Sequence, residues 1–114
     1  MNGTPFWRVV EGDVVTQNNA GCFFAGHGGK DGEETFGHEL GHGLGIGHSC
    51  GDANSPPCTD PVLSAALMRA FVHGDGRGAQ LGADDRAAAL FLYGFIFADG
   101  FESGNTGAWS ATVP

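Results

Sequence analysis

The order of polar and apolar residues predicts two helices in this chain. Residues 33–44 carry acidic side chains in their first turn, where the helix dipole favours negative charge. A second helix is predicted from residue 83 or 84 to residue 93, because apolar side chains recur there at helical spacing. Asp84 is placed to cap this second helix, and Gly94 is expected to end it.

Apolar runs near the N-terminus predict strands. Residues 6–10 and 14–16 are expected to pair as a short hairpin around a turn at 11–13. Residues 22–25 form an apolar run between polar and glycine-rich segments, which is typical of a buried strand. Residues 47–61 are predicted to be a loop, and residues 95–104 to be a strand or a tail.

The composition is that of one small globular domain with an excess of glycine. The chain has 114 residues, of which 41% are hydrophobic and 16% charged, so it is too apolar for a disordered protein. Its 21 glycines predict many turns and raise the entropy that folding must overcome. A domain of this kind needs further stabilisation, which a bound metal ion or a disulfide would supply.

The charge of the chain argues against nucleic acid as a partner. The formal net charge is −8, and five scattered Lys and Arg residues cannot form a basic groove. No apolar run is long enough to span a bilayer. Residues 1–11 also lack the order of charged, apolar and small residues that is typical of a signal peptide.

Three cysteines leave at least one without a partner inside the chain. Cys50 and Cys58 bracket a polar loop with two prolines, and a disulfide that closes this loop would contribute about 2–3 kcal/mol. The alternatives are two free thiols or a further metal site. A disulfide implies an oxidising compartment. Cys22 is then either free or paired with a segment that this chain lacks.

The residues that predict chemistry lie at 38–48 and read His-Glu-Leu-Gly-His-Gly-Leu-Gly-Ile-Gly-His. His38 and His42 are four residues apart, so a helix projects both from one face at the separation that tetrahedral zinc requires. Three histidine ligands leave one coordination position open, as catalytic zinc sites do. Glu39 can reach a water at that position, and we expect it to be the general base.

His48 needs a break in the helix to become the third ligand. It lies six residues after His42, and a continuing helix would point it away from the metal. Gly45 has no Cβ, so it can adopt a left-handed conformation, end the helix and return His48 to the metal. The alternative, ordinary histidines in a glycine-rich helix, requires three of the five histidines to fall into one ligand geometry by chance.

This pattern resembles the zinc-binding signature of the metzincin metallopeptidases, and the surrounding residues resemble the secreted bacterial type of matrixin. Ser49 follows the third histidine as it does in matrixins. Residues 66–68 resemble the matrixin Met-turn, which implies that Met68 forms the apolar floor below the zinc; the alternative is a plain core methionine. Residues 81–85 and 92–94 resemble the closing helix. That resemblance implies structural support from Asp84 and Asp85, the alternative being a simple N-cap pair.

The resemblance implies an α+β fold: a zincin or metzincin-like catalytic domain with an active-site helix, a Met-turn and a C-terminal helix. Residues 1–95 would form this domain and 96–114 a C-terminal tail, either a sorting or linker segment or a strand that covers the core. Residues 1–37 are too few for the upper β-sheet, which is expected to be reduced or missing. We therefore expect the C-terminal piece of a longer secreted precursor, or a reading frame that begins at an internal Met, in either case N-terminally truncated and without its signal peptide.

The expected function is that of a secreted or cell-surface zinc metalloendopeptidase. One catalytic Zn²⁺ and Glu39 would activate water to hydrolyse protein or peptide substrates. The rival hypothesis is a non-catalytic module that zinc only stabilises, inactive because the substrate cleft is missing. His27 with Asp31 is considered for an additional structural Zn²⁺ or Ca²⁺, as in matrixins, against a solvated loop histidine. His73 is assigned no role.

Overall fold

The structure is a computed structural model that describes residues 11–98, with side chains for 11–94. Helix α1 (Gly21–Phe24) is followed by a 3₁₀ turn (Gly26–Gly29), and then come α2 (Lys30–Gly43), α3 (Pro61–Ser64) and α4 (Ala83–Ala98). Residues 11–98 contain no β-strand. The two predicted helices are confirmed as α2 and α4, while the α+β class of the chain stays a prediction.

Helix α2 is flanked by glycines in left-handed conformations. Gly29, with φ 91°, precedes the first helical residue, and the helix begins three positions earlier than predicted. At the other end Gly45 has φ 88°, the conformation predicted for it. The Gly45 N–H donates to His42 O at 2.9 Å and the Ile46 N–H to Gly41 O at 3.0 Å. These two bonds form a Schellman motif, which satisfies the last carbonyls of the helix and turns the chain.

The strand predicted at 22–25 is wrong, because these residues lie in α1 and its C-cap. The N–H groups of Phe24 and Ala25 donate to carbonyls four residues earlier, at 3.1 and 3.0 Å. The Phe24 ring packs against Phe36 of α2, with the ring centroids 5.1 Å apart. A short apolar run does not distinguish a helix from a strand. Packing against α2 decides between them here.

The predicted hairpin is also not formed in the part of it that the structure describes. Residues 14–16 have no regular secondary structure, and the first predicted strand, 6–10, lies outside the described residues. The side chains of 11–19 are exposed, and Val15 keeps 89% of its surface. Without a buried face, nothing fixes the register of a strand here.

Helix α4 runs past its predicted end. Gly94 does not stop it: the helix is kinked at Tyr93 (φ −127°, ψ 18°) and continues to Ala98. The prediction of a strand or tail at 95–104 is therefore wrong for 95–98, and 99–104 lie outside the described residues. The Tyr93 hydroxyl donates to Leu44 O at 2.5 Å, so the kink coincides with a contact to the end of α2.

The small core lies between α2, the turn at 65–70 and α4. Its buried apolar residues are Cys50, Ala66, Leu67 and Met68. Met68 packs directly on the backbone of α2, where a Cβ at Gly41 would lie only 2.3 Å from the Met68 sulfur. Glycine at 41 therefore allows the turn to approach the helix that carries two of the histidines.

A buried acid–imidazole pair joins α2 to the segment after this turn. Glu34 is fully buried and accepts the His73 N–H at 2.6 Å and the Gly74 N–H at 3.4 Å. The Nδ1 of His73 lies 2.6 Å from Glu34 Oε1, and its Nε2 lies 2.8 Å from Ser64 O. Burial raises the pKa of Glu34, but the hydrogen bonds from His73 and Gly74 together lower it below its ordinary value.

We expect Glu34→Gln to destabilise the fold by about 3–5 kcal/mol at pH 7, because it leaves His73 buried without its acid. The folded-state pKa of Glu34 lies below the ordinary value of 4.5. The stability that the ionised carboxylate contributes to the fold is therefore fully present above pH 4.5 and is lost as the pH falls through the folded-state pKa. Urea unfolding of both chains from pH 7 to about pH 3 measures the difference, which should stay constant down to about pH 4.5 and shrink below it.

Glu33→Gln is the matched control, because Glu33 is an exposed partner of Lys30 and its loss should cost less than about 1 kcal/mol. Equal stability of the wild type and Glu34→Gln at pH 7 would contradict the buried pair.

Candidate metal centre

Helix α2 and the turn that ends it bring three histidines together. The Nε2 of His48 lies 3.3 Å from the Nε2 of His38 and 3.2 Å from the Nε2 of His42. Within residues 11–98 this is the one group of three or more His, Cys, Asp or Glu side chains that could hold a metal ion. The helix supplies the first two ligands, and the left-handed Gly45 returns the chain so that it supplies the third.

Each imidazole has a hydrogen-bond acceptor at its Nδ1. His38 Nδ1 lies 2.9 Å from Leu67 O, and His42 Nδ1 lies 2.8 Å from Ile46 O. His48 Nδ1 is hydrogen-bonded to the carboxylate of Asp52. Carbonyl and carboxylate oxygens only accept, so each Nδ1 carries the hydrogen and each neutral ring has its lone pair on Nε2.

Three lone pairs that face one another at this distance repel unless a cation lies between them. Because no Nε2 of the neutral rings carries a hydrogen, the short contacts of His48 Nε2 with His38 and His42 are not hydrogen bonds. Metal-ligating histidines have this arrangement, with the outer nitrogen donating to a carbonyl or carboxylate. The donor set therefore fits a divalent metal ion.

Asp85 holds the turn that orients His38. Its carboxylate is 2% exposed and accepts the Leu67 N–H at 2.7 Å and the Met68 N–H at 3.0 Å. It also accepts the Gly82 N–H at 2.6 Å, which ties the start of α4 to the same turn. Among the described residues, no hydrogen bond joins Asp84 to this turn. Of the two predicted support residues, only Asp85 thus contacts it.

The His48 segment is tied to the same turn by its backbone. The Ser49 N–H donates to Met68 O at 2.9 Å, and the Ala70 N–H donates to Cys50 O at 2.9 Å. The predicted disulfide between Cys50 and Cys58 is formed, which excludes the two alternatives for this pair. Met68 is buried against Gly41 of α2, the residue before His42, while its role as the floor of a zinc site stays a prediction.

Glu39 borders open space on two sides. One cleft, of about 440 Å³, is lined by apolar and polar side chains in equal number, with Val14, Phe23 and Phe36 among the apolar ones. A second, of about 320 Å³, is lined by residues 11–14 together with Glu39, Leu40, His42 and Gly43. A molecule in the second cleft would contact both Glu39 and a metal ligand. The carboxylate is therefore accessible beside the histidine cluster.

The sequence did not point to Asp52, the outer partner of His48. Its carboxylate accepts hydrogen bonds from the His48 ring, the Ser55 hydroxyl and the Asn54 N–H, and these lower the pKa of Asp52 to about 2. The sequence did contain one signal for Asp52: it lies four residues after His48, inside the loop that Cys50 and Cys58 close. Asp52 is consequently a carboxylate at neutral pH.

The expected second ion site has only two of its ligands in place. His27 Nδ1 lies 3.0 Å from Asp31 Oδ1, and His27 is half exposed. Within residues 11–98 no third His, Cys, Asp or Glu side chain joins them in a metal-binding group. The contact is an ordinary ion pair or hydrogen bond, and the additional ion stays a prediction.

Comparison of the chain with protein-family models, with curated proteins and with solved structures finds no match. In the part of the chain that the structure describes, no helix is long and apolar enough to cross a membrane. A functional assignment therefore depends on the residues and the geometry of the histidine cluster.

We expect Asp85→Asn to lower the free energy of unfolding by about 2–3 kcal/mol, because three N–H groups lose a charged acceptor in a buried position. Asp84→Asn is the matched control at the neighbouring, less buried position and should cost less than about 1 kcal/mol. Urea unfolding followed by circular dichroism measures both. Equal losses at the two positions would show that Asp85 has no special role in holding the turn.

Proposed function

We propose that this chain is a zinc metalloendopeptidase of the matrixin-like metzincin type, which hydrolyses peptide bonds with Glu39 as the general base. The observation that carries the proposal is the convergence of three Nε2 lone pairs from His38, His42 and His48, each with its Nδ1 already engaged. The His-Glu-x-x-His pattern and the third histidine after a glycine turn support the same assignment.

Zinc fits the two Nε2 separations that involve His48. Zinc–imidazole bonds are about 2.0–2.1 Å long, so the corners of a tetrahedral site lie about 3.3–3.4 Å apart. The Nε2 of His48 lies 3.2 and 3.3 Å from the other two Nε2 atoms, which agrees with this spacing. Three nitrogen ligands and no thiolate leave one position open, as in catalytic rather than structural zinc sites.

The protein groups around the cluster have separate tasks in the proposed reaction. Zinc, when bound, supplies Lewis acidity that polarises a carbonyl and lowers the pKa of water. Glu39 takes the proton from the attacking water and later gives it to the leaving amine. Leu67 O, Ile46 O and Asp52 keep the rings of His38, His42 and His48 in the tautomer that binds metal.

The clefts beside Glu39 and the disulfide support the rest of the proposal. Glu39 lines both clefts, so a peptide bound in either one would lie beside the proposed base, and Phe23 and Phe36 of the larger cleft offer apolar contacts for a side chain. The Cys50–Cys58 disulfide is typical of secreted or cell-surface proteins.

One observation favours the rival function, a zinc-stabilised module without activity. Residues 11–98 contain no strand, so this part of the chain offers no sheet edge on which an extended peptide could pair. Casein hydrolysis by the zinc-loaded chain, with and without a chelator, separates the two functions. A chain that holds one zinc ion but leaves casein intact would favour the module.

We expect Glu39→Ala to retain zinc and to lose casein hydrolysis by about 10²–10⁴-fold, because the proton of the attacking water then has no positioned acceptor. Glu33→Ala, on the exposed face of the same helix, should leave both the zinc content and the rate unchanged. Zinc per chain is measured by atomic absorption beside the rate. Undiminished hydrolysis in Glu39→Ala would refute Glu39 as the base.

We expect His42→Ala to abolish stoichiometric zinc binding, because two imidazoles alone do not form a tight site. His27→Ala removes a histidine outside the cluster and should keep the zinc content of the wild type. Equilibrium dialysis at a fixed free zinc concentration measures both. Unchanged stoichiometry in His42→Ala would contradict the ligand assignment.

A further inference from the structure

The third ligand is held differently from the other two. His38 and His42 bond main-chain carbonyls, Leu67 O in the buried turn and Ile46 O in the Schellman motif. His48 instead bonds a side chain, the carboxylate of Asp52, on a partly exposed loop. The orientation of His48 therefore depends on a side chain whose own position must be fixed.

The loop fixes Asp52 through its other oxygen. Oδ1 accepts the Asn54 N–H at 2.9 Å and the Ser55 hydroxyl at 2.7 Å, while Oδ2 is left for His48. The Gly51 N–H donates to Pro56 O at 2.9 Å across the base of the loop. These bonds aim one carboxylate oxygen at the ligand ring.

The disulfide connects this loop to the core. Cys50 is fully buried, and its carbonyl accepts the Ala70 N–H. Within the described residues, the hydrogen bonds of 52–57 stay inside the loop except for the one to His48 and the one that Pro57 O accepts from the adjoining Thr59 N–H. The disulfide to Cys58 is thus the covalent tie that closes the loop beneath Asp52.

We propose that Asp52 is the positioning residue of His48 and that the Cys50–Cys58 disulfide holds Asp52 in place, so that tight metal binding depends on this disulfide. The inference rests on the proposed metal site but not on its catalytic activity. An outer carboxylate fixes the ring tautomer and orientation and raises the basicity of the ligand nitrogen. Loss of the disulfide weakens metal binding because it frees Asp52, while the three histidines themselves are unchanged.

The experiment measures zinc affinity of the full chain by competition with a chromogenic chelator. We expect Asp52→Ala to bind zinc about 10–100-fold more weakly. Asp52→Asn should lose less, because its amide oxygen still accepts from Nδ1. Asp60→Ala is the control: Asp60 caps α3 through the Val62 N–H at 2.8 Å and contacts no ligand, so its affinity should equal that of the wild type.

The visible spectrum of the cobalt-loaded chain reports the coordination geometry, which a purely structural role of Asp52 would leave unchanged. We expect Asp52→Ala to alter the intensity of the cobalt bands and Asp52→Asn to restore it in part. Wild-type affinity and spectrum in Asp52→Ala would overturn the inference while leaving the zinc site intact. A wild type that binds neither metal would overturn the proposed function as well.

The role of the disulfide is tested in a double-mutant cycle. Cys50→Ala/Cys58→Ala should weaken zinc binding in the wild type but add little to the loss in Asp52→Ala, because both changes remove the same support. Additive losses would show that the disulfide acts independently of Asp52.

If the cysteine variant does not fold, the zinc-loaded chains are treated with a phosphine. The phosphine reduces the disulfide to two thiols and becomes its oxide with oxygen from water. Zinc release should then accelerate in the wild type and not in Asp52→Ala. Equal acceleration in both would refute the link.

Discussion

Three imidazole rings hold their lone pairs toward one point, and three separate segments of the described structure meet to place them there. Each ring is kept in place by an acceptor from a different segment: the turn at Leu67, the Schellman motif at Ile46 and the disulfide loop at Asp52. Without a cation the lone pairs repel, so metal binding and the correct placement of all three segments favour each other. A metal ion would therefore contribute to folding as well as to chemistry.

Because the apolar core is small, buried polar contacts are important for holding the segments of this protein together. The buried apolar residues of the described part are few, and they surround the turn at 66–68. Two buried carboxylates join segments by hydrogen bonds where apolar packing is sparse. Glu34 joins α2 to His73, and Asp85 joins the turn to α4. Each has its hydrogen bonds satisfied, which is the condition under which a buried charge is tolerated.

In the proposed hydrolytic site, the histidine cluster and the open segment beside it would have different tasks. The three histidines are fixed by hydrogen bonds on their outer nitrogens, while Glu39 lines two clefts to which the exposed segment 11–17 also contributes. A fixed metal site with an accessible base is the arrangement that positioned water requires. The disulfide loop adds a second covalent constraint, on the ligand that the helix does not supply.

The sequence alone determined the features that depend on near neighbours: helix α2, the left-handed Gly45, the histidine cluster and the short Cys50–Cys58 loop. Spacing along a helix or a tight turn sets these directly. The tertiary structure decided the helical form of 22–25, where packing against α2 overrode the local pattern, and it continues α4 past Gly94. It also selected Asp85 over Asp84 and paired Glu34 with His73, because those partners lie 17 to 40 residues apart. No local pattern predicts which distant N–H a buried carboxylate will meet.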